Sequence, residues 1–125
     1  MLSFLYCYIE LISVSLKPIK KTDKALFNLI EERIAQGKYV FLSHALRRIK
    51  ERTVSELEVI YLLSGKKGYN INRNKKKDIY ELFSLADLAQ DWKYCIEGHD
   101  IDGNKLRVIM TFTDDLMLII TVIKI

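Results

Sequence analysis

Residues 92–125 carry the pattern that most constrains the fold. Residues 92–97 alternate aromatic or apolar side chains with Lys, Cys and Glu, and residues 105–112 alternate in the same way. Residues 100–104, Asp-Ile-Asp-Gly-Asn, have the composition of a tight turn, and residues 113–115 supply a second one. The pattern therefore predicts a three-stranded antiparallel meander.

The third strand of this meander, residues 116–125, is almost continuously apolar and rich in Ile and Val. A strand that is apolar on both faces belongs in the middle of a sheet or beneath a layer of helices. We therefore expect the upstream residues to pack on this sheet or to line its edge.

Three helices are predicted upstream of the meander. The first covers roughly residues 24–36, with Thr22 or Asp23 as its cap, and the second covers residues 45–51 behind Ser43. The third runs to Leu63 from a capping box that Ser55 forms with a glutamate three residues later. Residues 39–41 read as a short extended piece, residues 66–72 as a weak strand and residues 72–77 as a hydrophilic loop. Residues 79–90 suit either a helix or a strand.

We interpret residues 23–125 as a single domain and residues 1–22 as an apolar extension that precedes it. The apolar stretch 1–16 is shorter than the roughly 20 residues of a membrane span, and it lacks the basic region and cleavage site of a secretory signal. It reads as a peripheral strand or helix, as a dimer contact or as an extension upstream of the true start. No membrane partner is expected.

Charge is distributed unevenly along the chain. Residues 38–77 contain eleven basic and three acidic side chains, whereas residues 78–125 contain four basic and nine acidic ones. Such a polarity favours approach to a polyanion such as RNA. A solvated lysine loop is the alternative interpretation of residues 75–77.

Motifs for nucleotide, zinc or nucleophilic-serine chemistry are missing from the sequence. Cys7 and Cys95 lie in apolar alternating segments without ligand spacing, which favours buried, reduced cysteines in a cytosolic protein. We therefore expect no cofactor and no metal.

His44 and Arg48 lie four residues apart, on the same face of the predicted second helix. An imidazole that titrates near neutrality can move a proton, and a guanidinium can stabilise charge on phosphorus. The pair suits phosphodiester chemistry. A histidine that is hydrogen-bonded for structural reasons at a helix start is the alternative.

A second candidate group lies on the predicted sheet. Glu97 and His99 share a face if the strand is unbroken, and Arg107 can lie opposite them on the next strand. A carboxylate, an imidazole and a guanidinium together would suit metal-free RNA cleavage. An exposed cross-strand charge pair is the alternative.

Several short motifs together resemble a family of small bacterial domains of unknown function that is encoded beside zinc-finger antitoxins of the YgiT/MqsA kind. These motifs are Leu-Ser-His-Ala at residues 42–45, Arg48 with Glu-Arg at 51–52, the strand that begins Trp-Lys-Tyr at 92–94, and Leu-Ile-Ile-Thr-Val at 118–122. The family is similar to the RelE and MqsR toxins. The resemblance implies a RelE/barnase-like α+β fold, with short helices on a small antiparallel sheet. It also implies a messenger-RNA endonuclease that a partner protein neutralises.

The resulting hypothesis is a cytosolic, metal-independent endoribonuclease toxin of a type II toxin–antitoxin pair. Its partners would be RNA and a cognate antitoxin, for which the zinc-finger proteins are the precedent. The candidate catalytic residues are His44, Arg48 and Arg107, and the candidate RNA-binding residues are Arg52, Lys76 and Lys77. Among these, the resemblance carries over His44, Arg48 and Arg52. The alternatives are a non-catalytic RNA- or protein-binding module, and a structural protein that oligomerises through residues 1–16 and 116–125.

Overall fold

The computed structural model describes residues 18–52, 54–65, 71–80, 91–100 and 102–125. Its helices are α1 (Asp23–Ala35), α2 (Ser43–Glu51) and α3 (Glu56–Leu63). Its strands are β1 (Tyr39–Phe41), β2 (Ile71–Arg73), β3 (Tyr94–His99), β4 (Lys105–Phe112) and β5 (Met117–Lys124), and a 3₁₀ turn covers Lys75–Lys77. The predictions for residues 1–16, 66–70 and 81–90 fall outside the described residues.

The five strands form one mixed sheet in the order β1-β5-β4-β3-β2. The predicted meander is confirmed, because β3 pairs with β4 and β4 with β5, both antiparallel. Strand β1 adds a parallel pair at one edge, where Tyr39 lies opposite Met117, and β2 adds an antiparallel strand at the other edge. Strand β5 thus has a neighbour on each side, as its apolar sequence predicts. The α+β class is confirmed.

The core lies on one face of this sheet, under the helices. Leu106, Val108 and Met110 of β4 are fully buried in the same cluster as Ala45 and Ile49 of α2. Because side chains alternate along a strand, the intervening residues of β4 point to the opposite face. The pairing of β4 with β5 shifts by one residue between Ile109 and Met110. This bulge preserves the buried row in β5, where Ile119 and Val122 are both buried.

Two of the predicted helix caps are confirmed and one is wrong. The Thr22 hydroxyl accepts a hydrogen bond from the Ala25 amide at 3.2 Å, and the Ser55 hydroxyl accepts one from the Glu58 amide at 3.1 Å. Ser43, predicted as the cap of α2, is instead the first residue of that helix, and Leu42 occupies the N-cap position. The Leu42 amide donates to the Ile119 carbonyl at 2.9 Å, which extends the β1–β5 ladder by one residue. The helix therefore begins at once at Ser43.

The prediction of a hydrophilic loop over residues 72–77 is wrong in part. Ile71 and Asn72 lie in β2, in agreement with the weak strand predicted over residues 66–72, but β2 continues to Arg73 and Lys75–Lys77 form the 3₁₀ turn. The turn is held against β3, because the Asn74 amide donates to the Cys95 carbonyl at 2.9 Å and the Asp78 carboxylate accepts from the Cys95 amide at 2.9 Å. The polar composition of this segment gives no indication that it hydrogen-bonds to the sheet.

Residues 18–23 pack along the β2–β3 side of the molecule. The Trp92 indole donates to the Pro18 carbonyl at 2.7 Å, and the Lys21 amide donates to the Tyr94 hydroxyl at 3.1 Å. Lys21 also pairs with Asp91 at 2.8 Å. These contacts join the segment before α1 to the start of β3. Among the described residues, no helix combines the length and the apolar character that a membrane span requires.

Candidate nucleic-acid interface

Helix α2 presents a basic surface to solvent. It packs on β5 through Ala45 and Ile49, so that its other side faces solvent. His44 and Arg47 are exposed on that side, and Arg48 is partly exposed. Residues 38–52 contain five basic side chains and one acidic one. An exposed helix face of this composition is suited to contact phosphates.

Arg48 is held only weakly by the protein partner that the structure describes. Arg48 contacts Glu51 at 3.5 Å, and their side chains are 41% and 53% exposed, so this pair is weak. Arg52, at the C-cap, donates to the Lys124 carbonyl at 3.4 Å and thereby lies beside the end of β5. The His44 side chain makes no hydrogen bond to any described residue. His44 and Arg48 lie four residues apart within α2, on one helical face as the sequence predicts.

The predicted group on the sheet forms around Glu97. Strand β3 continues through Gly98 to His99, and Glu97 lies directly opposite Arg107 in the ladder. The Arg107 Nε donates to Glu97 Oε2 at 2.7 Å, and Asn74 donates to the other carboxylate oxygen at 3.2 Å. With side chains only 22% and 14% exposed, the Arg107–Glu97 pair is more buried than an ordinary surface pair.

These contacts set the charge state of Glu97. Burial raises the pKa of its carboxyl, but the hydrogen bonds from Arg107 and Asn74 outweigh burial and hold the pKa below its usual value. The Cys95 thiol lies on the same sheet face, and burial together with the Glu97 charge raises its pKa to about 11. Glu97 is therefore a stable carboxylate that holds Arg107, and Cys95 is an unreactive thiol.

The structure separates the predicted catalytic residues into two groups. Arg107 alternates with Leu106 and Val108, which face the helices, so Arg107 lies on the opposite face of the sheet from α2. His44 and Arg48 remain together with Arg52 on the helix side. His99 lies opposite Lys105 at the end of the β3–β4 hairpin where the turn joins the two strands, and both residues are exposed there.

The predicted RNA-binding lysines also lie apart from α2. Lys76 and Lys77 are exposed on the 3₁₀ turn that follows β2, whereas α2 packs on β5. Strands β5 and β2 are three positions apart in the sheet, a separation of about 14 Å. The lysine turn thus belongs with Glu97 and Arg107 at one side of the molecule, and the α2 surface forms the other candidate.

Some residues at both sites were not singled out from the sequence. Arg47 and Lys50 are exposed on α2 and strengthen its basic surface, which the charge count of residues 38–52 could have indicated. Asn74 completes the shell around Glu97, and no sequence signal marks this contact. Across the described ranges, no cluster of three or more His, Cys, Asp and Glu residues is placed to hold a metal ion.

A family model for a domain of unknown function, DUF4258, matches residues 41–124. The chain therefore belongs to the DUF4258 family, and the match includes α2, the lysine turn and the whole meander. No curated protein matches the chain, and no solved structure does.

Proposed function

We propose that the protein is a metal-independent endoribonuclease that cleaves messenger RNA, the toxin of a type II toxin–antitoxin pair acting in the cytosol. The observation that carries the proposal is the exposed face of α2, on which His44 and Arg48 lie one turn apart among other basic side chains. The motif resemblance to the RelE and MqsR toxins points to the same chemistry.

The reaction would begin when RNA phosphates bind the basic side chains of α2. His44 would take the proton of a 2′-hydroxyl, whose oxygen then attacks the adjacent phosphorus while the bond to the 5′-oxygen breaks. The products would be a 2′,3′-cyclic phosphate and a 5′-hydroxyl once the leaving oxygen has received a proton. Arg48 would stabilise the additional negative charge on phosphorus. The weak Arg48–Glu51 contact leaves that guanidinium available.

Arg52 would bind RNA next to His44 and Arg48. It lies at the end of α2 beside Lys124 and extends the basic surface along β5. Arg107 stays with Glu97 on the other side of the sheet and is assigned to that pair. Lys76 and Lys77 would then contact RNA only where a longer strand crosses the edge of the sheet.

The first experiment compares cleavage of a short RNA by the full chain and by two matched variants, His44→Gln and His99→Gln. These are the two histidines of the chain, both exposed, and each lies in one of the two candidate groups. We expect His44→Gln to lose about a hundredfold or more in cleavage rate, because general acid–base catalysis by a positioned side chain contributes on that scale. His99→Gln should retain the wild-type rate.

The reverse result would contradict the assignment and move the reaction to Glu97, His99 and Arg107. Cleavage should persist in a chelator, and expression of the wild type but not of His44→Gln should arrest growth and fragment transcripts.

A non-catalytic RNA-binding module is the second candidate, favoured by the absence of any described hydrogen bond that orients His44. Wild-type protein that binds RNA, with an affinity that falls as salt rises, but yields no product would establish this candidate instead.

A further inference from the structure

Among the described residues, no strand pairs with the outer side of β1. Within that part of the chain β1 lies at the sheet edge and pairs with β5 alone. The Lys38 carbonyl accepts from the Met117 amide at 3.0 Å and the Leu42 amide donates to Ile119 at 2.9 Å, so the even-numbered residues face β5. The amides and carbonyls of Tyr39 and Phe41 must therefore point away from the sheet. In the part of the chain that the structure describes, no hydrogen bond uses them.

An apolar groove runs beside this open edge. It has a volume of about 270 Å³ and is lined by Tyr39 and Phe41 of β1 and by Glu56, Leu57 and Ile60 of α3. Leu57 is 59% exposed there. The groove thus offers apolar contact directly alongside four unused backbone hydrogen-bonding groups.

The two edges of the sheet differ in how they are covered. At the β2 edge, Arg73 binds the Lys21 carbonyl at 2.6 Å and Asp23 at 2.9 Å, so that residues 18–23 shield the strand. No described segment shields β1 in this way. Exposed strand edges are normally covered or charged, because they otherwise pair with other chains. An open edge beside an apolar groove is the arrangement that peptide-binding domains use for strand addition.

The charges around β1 define what would bind. Lys38 and Val40 lie on the face of β1 opposite to the groove, and both are exposed. The next basic side chains along the chain, those of His44 and Arg47, are exposed at the start of α2. A strand added beside β1 would place alternate side chains in the groove and the others next to Lys38 and Val40. The groove favours apolar residues, and Lys38 favours an acidic one.

We propose that β1 and the adjoining groove bind an extended segment of a partner protein as a sixth strand of the sheet. The segment alternates apolar residues, which enter the groove, with residues that include Asp or Glu opposite Lys38. Strand β1 has only three residues, so its backbone hydrogen bonds to the partner are few and mainly fix the register. Much of the affinity comes from the partner's apolar side chain that contacts Leu57 in the groove. The proposal does not depend on RNA cleavage.

A phage-displayed library of short linear peptides, selected on the full chain, tests this proposal. We expect the selected peptides to share alternating apolar and acidic residues. Their binding should slow hydrogen exchange of the Tyr39 and Phe41 amides, since strand addition gives those amides acceptors. Leu57→Asp should reduce the affinity about tenfold or more, because it replaces an apolar side chain of the groove with a charged one.

The matched control is Ile79→Asp, which changes an apolar residue that is 50% exposed at the other side of the sheet and should leave affinity unchanged. The proposal is overturned if no peptide is recovered, if the peptides bind Leu57→Asp as tightly as wild type, or if Tyr39 and Phe41 stay unprotected. Sedimentation that shows a dimer abolished by Leu57→Asp would also overturn it, because a second copy of the chain would then occupy the edge.

Discussion

Replacing Asp78 by Asn perturbs the most deeply buried ion pair of the described structure. The Asp78 carboxylate is 0% exposed and its partner Arg73 is 2% exposed. Asp78 Oδ2 accepts from the Arg73 Nε at 3.1 Å and Nη2 at 2.9 Å, and Lys20 lies 3.2 Å from the same oxygen. Asn keeps the shape of the side chain and the oxygen that accepts from the Cys95 amide. The variant therefore removes the negative charge and the oxygen that accepts from Arg73, while the shape of the side chain is kept.

The expected loss of unfolding free energy depends on the hydrogen-bonding partners that Arg73 keeps in the variant. Breaking a buried pair by removing one partner costs about 3–5 kcal/mol, because the other charge is left without compensation. Arg73 still reaches Asp23 at 2.9 Å and the Lys21 carbonyl at 2.6 Å, which places the loss near the lower limit, at about 3 kcal/mol. For a chain of this length, that loss lowers Tm by about 10 °C.

Urea unfolding followed by Trp92 fluorescence measures this loss, since Trp92 is the only tryptophan and lies beside the network. Glu51→Gln is the matched control, because it removes the carboxylate of the exposed Arg48 pair and should cost less than about 0.5 kcal/mol. If Asp78→Asn costs no more than Glu51→Gln, the reasoning from burial is refuted.

Two further predictions concern the sheet face that carries Glu97. The folded pKa of Glu97 is lowered, so its carboxylate stabilises the fold above the ordinary pKa, and this contribution is lost as pH falls through the folded value. Urea unfolding across a pH series measures this contribution. Wild type should be more stable than Glu97→Gln at neutral pH, and the difference in stability should vanish in acid. A difference that does not change with pH would contradict this prediction. Since the pKa of Cys95 is raised to about 11, iodoacetamide at pH about 8 should alkylate it roughly a hundredfold more slowly in native protein than in urea, as mass spectrometry of the Cys95 peptide can measure. Equal rates would contradict burial of the thiol.

The meander could be predicted because its strand pairings are local. The alternation along β3 and β4 has the period of a strand, and the Asp-Gly turn joins the two strands without a long connection. The same register places Arg107 opposite Glu97, as the sequence predicts. The caps at Thr22 and Ser55 are local too, since each hydroxyl binds an amide three residues away.

Contacts between distant segments could not be predicted. Nothing in the three residues of β1 specifies β5 as a parallel partner. Arg73 and Asp78 lie in a polar stretch, and their burial depends on Lys21 and Asp23, which are far away in the sequence. The local sequence does not predict such burial. A charge can be buried only where the tertiary structure places partners beside it that offset the cost of desolvation.

The sequence by itself determined the α+β class, the antiparallel meander and a helix on which His44 and Arg48 share a face. Only the tertiary structure decided which side of the sheet that helix covers. Packing of Ala45 and Ile49 against the buried row of β4 and β5 directs α2 to one face, and strand alternation then directs Arg107 to the other. Residue types and spacing indicate the chemistry that a group can perform, whereas burial of the apolar rows decides which groups can meet.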